Sequence, residues 1–229
     1  MTLHKVAFIG LGLIGGSIAK AIRQYYPDCE LIAFDQNTET LAQALSKGIL
    51  NAAASSINES FAHCNYIFLC TPVSHNNEYL NQLRPYLDSA TTLTDVGSVK
   101  TSVHEEVSRL GLEEFFIGGH PMAGSEKTGF SNAKAWLIEN AYYIITPTAS
   151  TSPKKLAAYQ ELAASLKAIP IVMDYRQHDQ VTGTISHLPH IIASSLVGFV
   201  RDTDTEDELM KLLAAGGFKD ITRIASSSP

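Results

Sequence analysis

The sequence predicts a doubly wound, mainly parallel α/β sheet followed by an all-α region. Three observations predict it. Short β-rich runs alternate with longer segments of helical period through about three quarters of the chain. Several of those runs are apolar throughout, as strands covered by helices on both faces must be. After Asp174 the strand signal stops. Residues 6–9, 30–34, 66–70, 92–94, 115–117, 142–145 and 169–173 read as strands, with 14–25, 38–46, 77–85, 100–110 and 153–166 as the helices between them. Further on, 175–200 reads as a long helical stretch carrying Pro189, and 206–213 as a second helix. Gly216-Gly217 reads as a break before 218–224. The expected organisation is an α/β domain over 1–174 and a helical region over 175–229. The latter, about 55 residues, is too short to stand alone and must pack on the first domain or on another subunit.

Composition narrows the function. Of 229 residues, 45% are hydrophobic and 17% charged, which suits a packed globular chain rather than a disordered one. A formal charge of −6 argues against a nucleic-acid partner, although a few local cations can still hold a small anion. Cys29, Cys64 and Cys70 show no CxxC spacing, so neither a disulfide framework nor a zinc site is expected, and a reducing cytoplasm fits best. There is no charged leader with an apolar core and cleavage site, so no signal peptide is expected. No uninterrupted apolar run approaches the ~18 residues of a membrane span, so no membrane partner is expected either.

The first motif is Gly10-Leu11-Gly12-Leu13-Ile14-Gly15, between a predicted strand and a predicted helix. Gly10 permits the tight turn, Gly12 lets the backbone approach a pyrophosphate, and Gly15 lets the helix pack close to the strand. The turn at Leu13-Ile14 presents the positive helix end. Asp35 ends the second predicted strand, 20 residues after Gly15. Its carboxylate can accept ribose hydroxyls and would repel a 2′-phosphate, and Gln36-Asn37-Thr38 bring no cation to neutralise one. These residues read as a Rossmann-type dinucleotide site with NAD, not NADP, as the cofactor. Thr71-Pro72 close another strand and either line the same cleft or only stop the strand.

The candidate chemistry lies further along. Ser98, in Asp95-Val96-Gly97-Ser98-Val99-Lys100, either caps the next helix or points its hydroxyl into the cleft. His120 follows Gly118-Gly119 just after a predicted strand, so little bulk shields its imidazole, which titrates near neutrality and can take a hydroxyl proton. His187 and His190 share a helix face; with no third ligand evident they read as substrate-binding or structural, not metal-binding. Arg223 can grip a carboxylate in bidentate fashion, and Lys219 adds a second cation.

Taken in order, these segments resemble the prephenate/arogenate dehydrogenase family of tyrosine biosynthesis. The resemblance rests on the GLGLIGGS turn from position 10, DVGSVK from 95, GGHPMAGSEKTG from 118, SHLPH from 186 and GGFKDITRIA from 216. It implies NAD-dependent oxidative decarboxylation of prephenate to 4-hydroxyphenylpyruvate. His120 then matches the histidine that deprotonates the 4-hydroxyl, and Ser98 the serine between that hydroxyl and the nicotinamide. Arg223 matches the arginine on a substrate carboxylate, His190 and Lys219 further pocket positions, and Glu126 an acid at the pocket mouth. Family members continue past the segment matching 222–225 with helices that form a dimer and help close the site. The helical region is therefore expected to be incomplete relative to them, with cofactor binding kept and dimerisation and turnover in question. Three alternatives stay open. They are an arogenate-preferring enzyme, a β-hydroxyacid dehydrogenase, which would place a lysine where this long helix carries histidines, and a module that binds NAD without catalysis.

Overall fold

The computed structural model describes residues 2–226, and the side chains of all of these except Val73, Ser74, Asn77 and Ser226. Strands β1 (Lys5–Ile9), β2 (Glu30–Phe34), β3 (Ala52–Ala54), β4 (Tyr66–Leu69) and β5 (Thr92–Asp95) form a parallel sheet in the order β3-β2-β1-β4-β5. Helices α1 (Leu13–Tyr25), α2 (Thr38–Ser46) and α3 (Val73–Leu83) make the crossovers. Each face of this sheet carries its own core. Val6 and Phe8 pack on one side with Leu31 and Phe68, while Ala7 and Ile9 pack on the other with Ile67 and Leu93. Burial on both faces is why these strands lack polar alternation.

Helix α4 (Thr101–Arg109) leads to β6 (Ile117–Pro121), β7 (Tyr142–Pro147), α5 (Pro153–Ser165) and β8 (Ile169–Val172). These three strands form a second sheet in which β6 and β7 are antiparallel and β7 and β8 parallel. One bridge, Leu93 to Phe116, joins it to the parallel sheet. Two expectations are corrected here. β3 went unread because three alanines carry no β signal. β6 sits later than the expected 115–117, so His120 lies within a strand, paired with Ile144, and not after one. The flanking glycines serve packing rather than access. A Cβ on Gly118 would lie 2.3 Å from Thr146 Oγ1, and one on Gly119 2.5 Å from the Tyr159 hydroxyl.

The chain divides into two compact units, 1–179 and 180–229. Helix α6 (Tyr175–Thr182) ends the first and begins the second. It runs through a π segment, Gly183–His187, into α7 (Leu188–Thr203), and the widened turn stands just ahead of Pro189, whose missing N–H removes a hydrogen bond to the preceding turn. The second unit adds α8 (Leu209–Leu212), α9 (Gly216–Thr222) and a 3₁₀ turn, Arg223–Ser226. The helix expected over 206–213 is shorter because the Asp204 carboxylate takes the N–H groups of Met210 and Lys211 and Glu208 adopts φ 51°. Gly216-Gly217 does not break the chain. Both glycines open α9, with Ala215 as its N-cap. Within Tyr175–Thr203 one run of 18 residues reaches a mean hydropathy of 1.2, long and apolar enough to cross a membrane by length and composition alone. The expectation concerned uninterrupted apolar runs, and polar residues do interrupt this one; only its average reaches that measure.

Candidate active site

The glycine turn is built by collisions that only glycine avoids. Gly10 adopts φ +87°, and a Cβ there would stand 2.8 Å from the Cys70 carbonyl oxygen. A Cβ on Gly15 would stand 2.5 Å from the Gly10 carbonyl, so α1 begins hard against the turn. Gly12 differs: nothing lies within 4 Å of where its Cβ would project. It is also the N-cap of α1 and brings no capping side chain, and the first turn holds no acid. The N–H groups at Leu13 and Ile14 therefore have no side-chain cap at the positive helix end, which fits the pyrophosphate of a dinucleotide.

Asp35 is held at the rim of this turn. Its Oδ2 accepts from Leu11 N at 2.6 Å and its Oδ1 from Asn37 N at 2.8 Å. Gly10, Gly12, Asp35, Thr71 and Pro72 line one cleft of about 330 Å³ with His75. Thr71 is oriented by donating its hydroxyl to Asn76 Oδ1 at 2.9 Å. The cleft lining includes no lysine or arginine.

Beyond β5, Ser98 is exposed and does not cap α4. Asp179 does that work: its Oδ1 accepts from Lys100 N at 2.7 Å and its Oδ2 from Thr101 N at 2.8 Å. Lys100 turns inward, fully buried, and forms an ion pair with the equally buried Asp95. Its Nζ also donates to the Gly119 carbonyl at 2.8 Å, while Gly119 N donates to Asp95 Oδ1 at 3.3 Å. Burial pushes the Lys100 ammonium down, opposed by the charge and hydrogen bond of Asp95. Gly119 is thus held through both its carbonyl and its N–H, next to His120.

His120 is half-buried, and its Nδ1 lies 2.8 Å from His178 Nε2. His178 is buried, and its Nδ1 lies 2.8 Å from Asp179 Oδ1. Burial pushes His178 down against the pull of the Asp179 hydrogen bond. Burial alone would raise Asp179, but hydrogen bonds from Thr101, His178 and Lys100 hold it below the usual carboxylate range. His104 sits on the same side of α4, stacked 4.4 Å from Tyr175 and bonded to Thr146 Oγ1, and burial pushes it down to about 4.

Sequence reading missed His178 and Asp179. The signal was a His-Asp pair in the polar opening of a long helix, but its partners lie 58 and 79 residues away. The other expected positions are more dispersed. Glu126 is exposed on the irregular segment after β6. His190 belongs to the unit 180–229, on α7, and its Nδ1 donates to the Ser186 carbonyl at 3.1 Å. Lys219 on α9 and Arg223 on the final turn are exposed in that unit, where α7 packs on both elements. Among the described residues, no cluster of histidine, cysteine or carboxylate ligands could hold a metal.

Residues 18–172 match the family model described as prephenate dehydrogenase, nucleotide-binding domain, and 174–229 match its dimerization domain. The glycine turn lies just ahead of the first match. The chain is 39% identical over 226 residues to prephenate dehydrogenase of Bacillus subtilis (strain 168), across 98% of this chain and 61% of that protein. It is 40% identical over 229 residues to the enzyme of that name from Lactococcus lactis subsp. cremoris (strain MG1363), across 98% of this chain and 62% of that one. The chain therefore spans about three fifths of the length of these relatives. Among solved structures, prephenate dehydrogenase from A. aeolicus in complex with hydroxyphenyl propionate and NAD+ superposes with a TM-score of 0.92 at 34% identity, covering 100% of this chain and 80% of that one.

Proposed function

The chain belongs to the prephenate dehydrogenase family, and from that premise we propose that it carries out NAD-dependent oxidative decarboxylation of prephenate to 4-hydroxyphenylpyruvate. The observation that carries this reading is that one unit holds both a dinucleotide turn open at Gly12 and a half-buried imidazole, His120, tied at Nδ1 beside the clamped Gly119 peptide. NAD supplies the hydride acceptor. Gly10, Gly12, Leu13, Ile14 and Gly15 hold its pyrophosphate, Asp35 its ribose hydroxyls, and Thr71-Pro72 the wall of the cleft. His120 takes the proton of the 4-hydroxyl as hydride leaves the same carbon. Loss of the ring carboxylate as CO₂ returns an electron pair to the ring and on to the oxygen, which recovers the proton from His120. Aromatisation drives the reaction, so alignment and one proton acceptor suffice.

Ser98 steadies the hydroxyl against the nicotinamide, Arg223 grips a carboxylate, His190 and Lys219 contact the rest of the substrate, and Glu126 guards the entrance. We assign 1–174 to cofactor binding and 175–229 to substrate binding and homodimerisation. The enzyme acts in the cytoplasm and needs no metal.

The test is NADH formation with prephenate, run beside arogenate and beside NADP. Turnover with prephenate and NAD, with His120→Asn inactive but still binding NAD, is the expected result. A strong arogenate preference would replace the substrate, and equal use of NADP would remove the role given to Asp35.

A further inference from the structure

A histidine can accept a proton at Nε2 only if its other nitrogen carries the hydrogen, so whatever faces Nδ1 decides whether the base is ready. In most settings a carbonyl or carboxylate does this. Here the atom facing His120 Nδ1 is another ring nitrogen, His178 Nε2, at 2.8 Å. Two imidazoles bond in this way only if one donates and the other accepts. The direction is fixed one residue further on, because Asp179 can only accept: His178 Nδ1 donates to Asp179 Oδ1 at 2.8 Å. A neutral His178 then has a bare Nε2, and His120 must donate to it from Nδ1.

We propose that Asp179 and His178 are positioning residues that set the tautomer of His120, leaving its Nε2 as the nitrogen that receives the substrate's hydroxyl proton. This rests on the reading of His120 as the base. When the proton arrives at Nε2, the charge formed on His120 is balanced through Nδ1–H, His178 and the Asp179 carboxylate. No net proton crosses the chain, and the proton leaves again from Nε2 to the product oxygen.

Three features hold the chain in place. Asp179 is anchored by two backbone donors at the start of α4, Lys100 N and Thr101 N. Tyr175, one turn before His178 and Asp179 on α6, stacks on His104 of α4. His178 is fully buried, so no water competes for its ring, and burial disfavours its cation, which would donate from Nε2 and reverse the bond to His120. The charged or titratable groups around it are Asp179 on its own helix, Lys100 and Asp95 beside it at the β5–α4 turn, and His104 on α4.

The test begins on the unmodified protein with ¹⁵N-labelled histidine. The Nδ1–H tautomer at His120 is expected, and the Nε2–H tautomer overturns the proposal. His178→Leu keeps the α4 cap but removes the acceptor. It should lower kcat by about 10²-fold, leave the KM for prephenate and the affinity for NAD within about twofold, and move the base limb of the pH profile to lower pH, because His120 loses the support of the carboxylate. His178→Gln, which offers an acceptor near the place of Nε2, should recover at least about tenfold of that loss. Unchanged kcat with an unmoved limb in His178→Leu overturns this proposal alone. Turnover by His120→Asn overturns the reading of His120 as the base and takes this proposal with it.

Discussion

The two units of this chain solve the burial problem in opposite ways. Residues 1–179 bury two apolar cores and a fully paired polar cluster, Asp95, Lys100 and Gly119, between sheet and helix. In residues 180–229 only Thr182 and Ala193 are buried among the described residues. Yet 12 of the 18 exposed large hydrophobics lie there, Phe199 at 65% and Leu212 at 73% exposure among them. A helix this apolar and this bare is shaped for another protein surface, in keeping with its match to a dimerization domain. The first unit carries its stability inside itself, and the second depends on what covers it.

The largest test of this contrast is Asp95→Ala, which strands a buried ammonium. Unfolding free energy from urea titration should drop by about 3–5 kcal/mol, because a buried charge without its partner cannot be solvated. A drop under about 1 kcal/mol would mean that the cluster is not what holds the first unit together. The glycines come next. Gly15→Ala meets the Gly10 carbonyl and should destabilise markedly, whereas Gly12→Ala should leave stability within about 0.5 kcal/mol and weaken NAD binding instead. Calorimetric titration with NAD beside thermal melts separates the two.

Acid should act mainly on the first unit. His104 protonates near its ordinary 6.5 when unfolded but only at about 4 when folded, so the unfolded state binds the extra proton between those values. Stability is full above about pH 6.5 and falls as pH drops towards about 4; His178, also shifted down from 6.5, adds to this fall, whereas Asp179 adds its own only below 3.8. Urea midpoints across this range should show the slope, and His104→Gln should reduce it. The smallest change in stability is expected for Phe199→Glu, within about 0.5 kcal/mol. Its effect should appear in sedimentation as weaker self-association, and an unchanged sedimentation profile would count against α7 as the associating face.

Legibility divides along the same line as range. The glycine turn and Asp35 are legible because the motif and its acid lie within 26 residues of one another and fall between a strand and a helix. The parallel sheet was readable because burial on both faces leaves a continuous apolar run. Gly118 and Gly119, which in the sequence suggest open access to His120, instead make room for Thr146 and Tyr159. Of the two readings open for Ser98, the helix cap falls to another residue: Asp179, on another helix 78 residues from Thr101, fills it. A contact of that span leaves no periodic trace, and a carboxylate near the polar start of a helix reads as ordinary solvated surface.

Asp179 has one more consequence. Its two oxygens meet three donors, Lys100 N, Thr101 N and His178 Nδ1. Asparagine would turn an amide donor towards N–H groups, and glutamate would carry the oxygens one methylene too far. Aspartate therefore serves two ends at once, closing the start of α4 and orienting His178. A scaffold of this kind that lost the chemistry at position 120 would still gain stability from the aspartate, through the helix it caps.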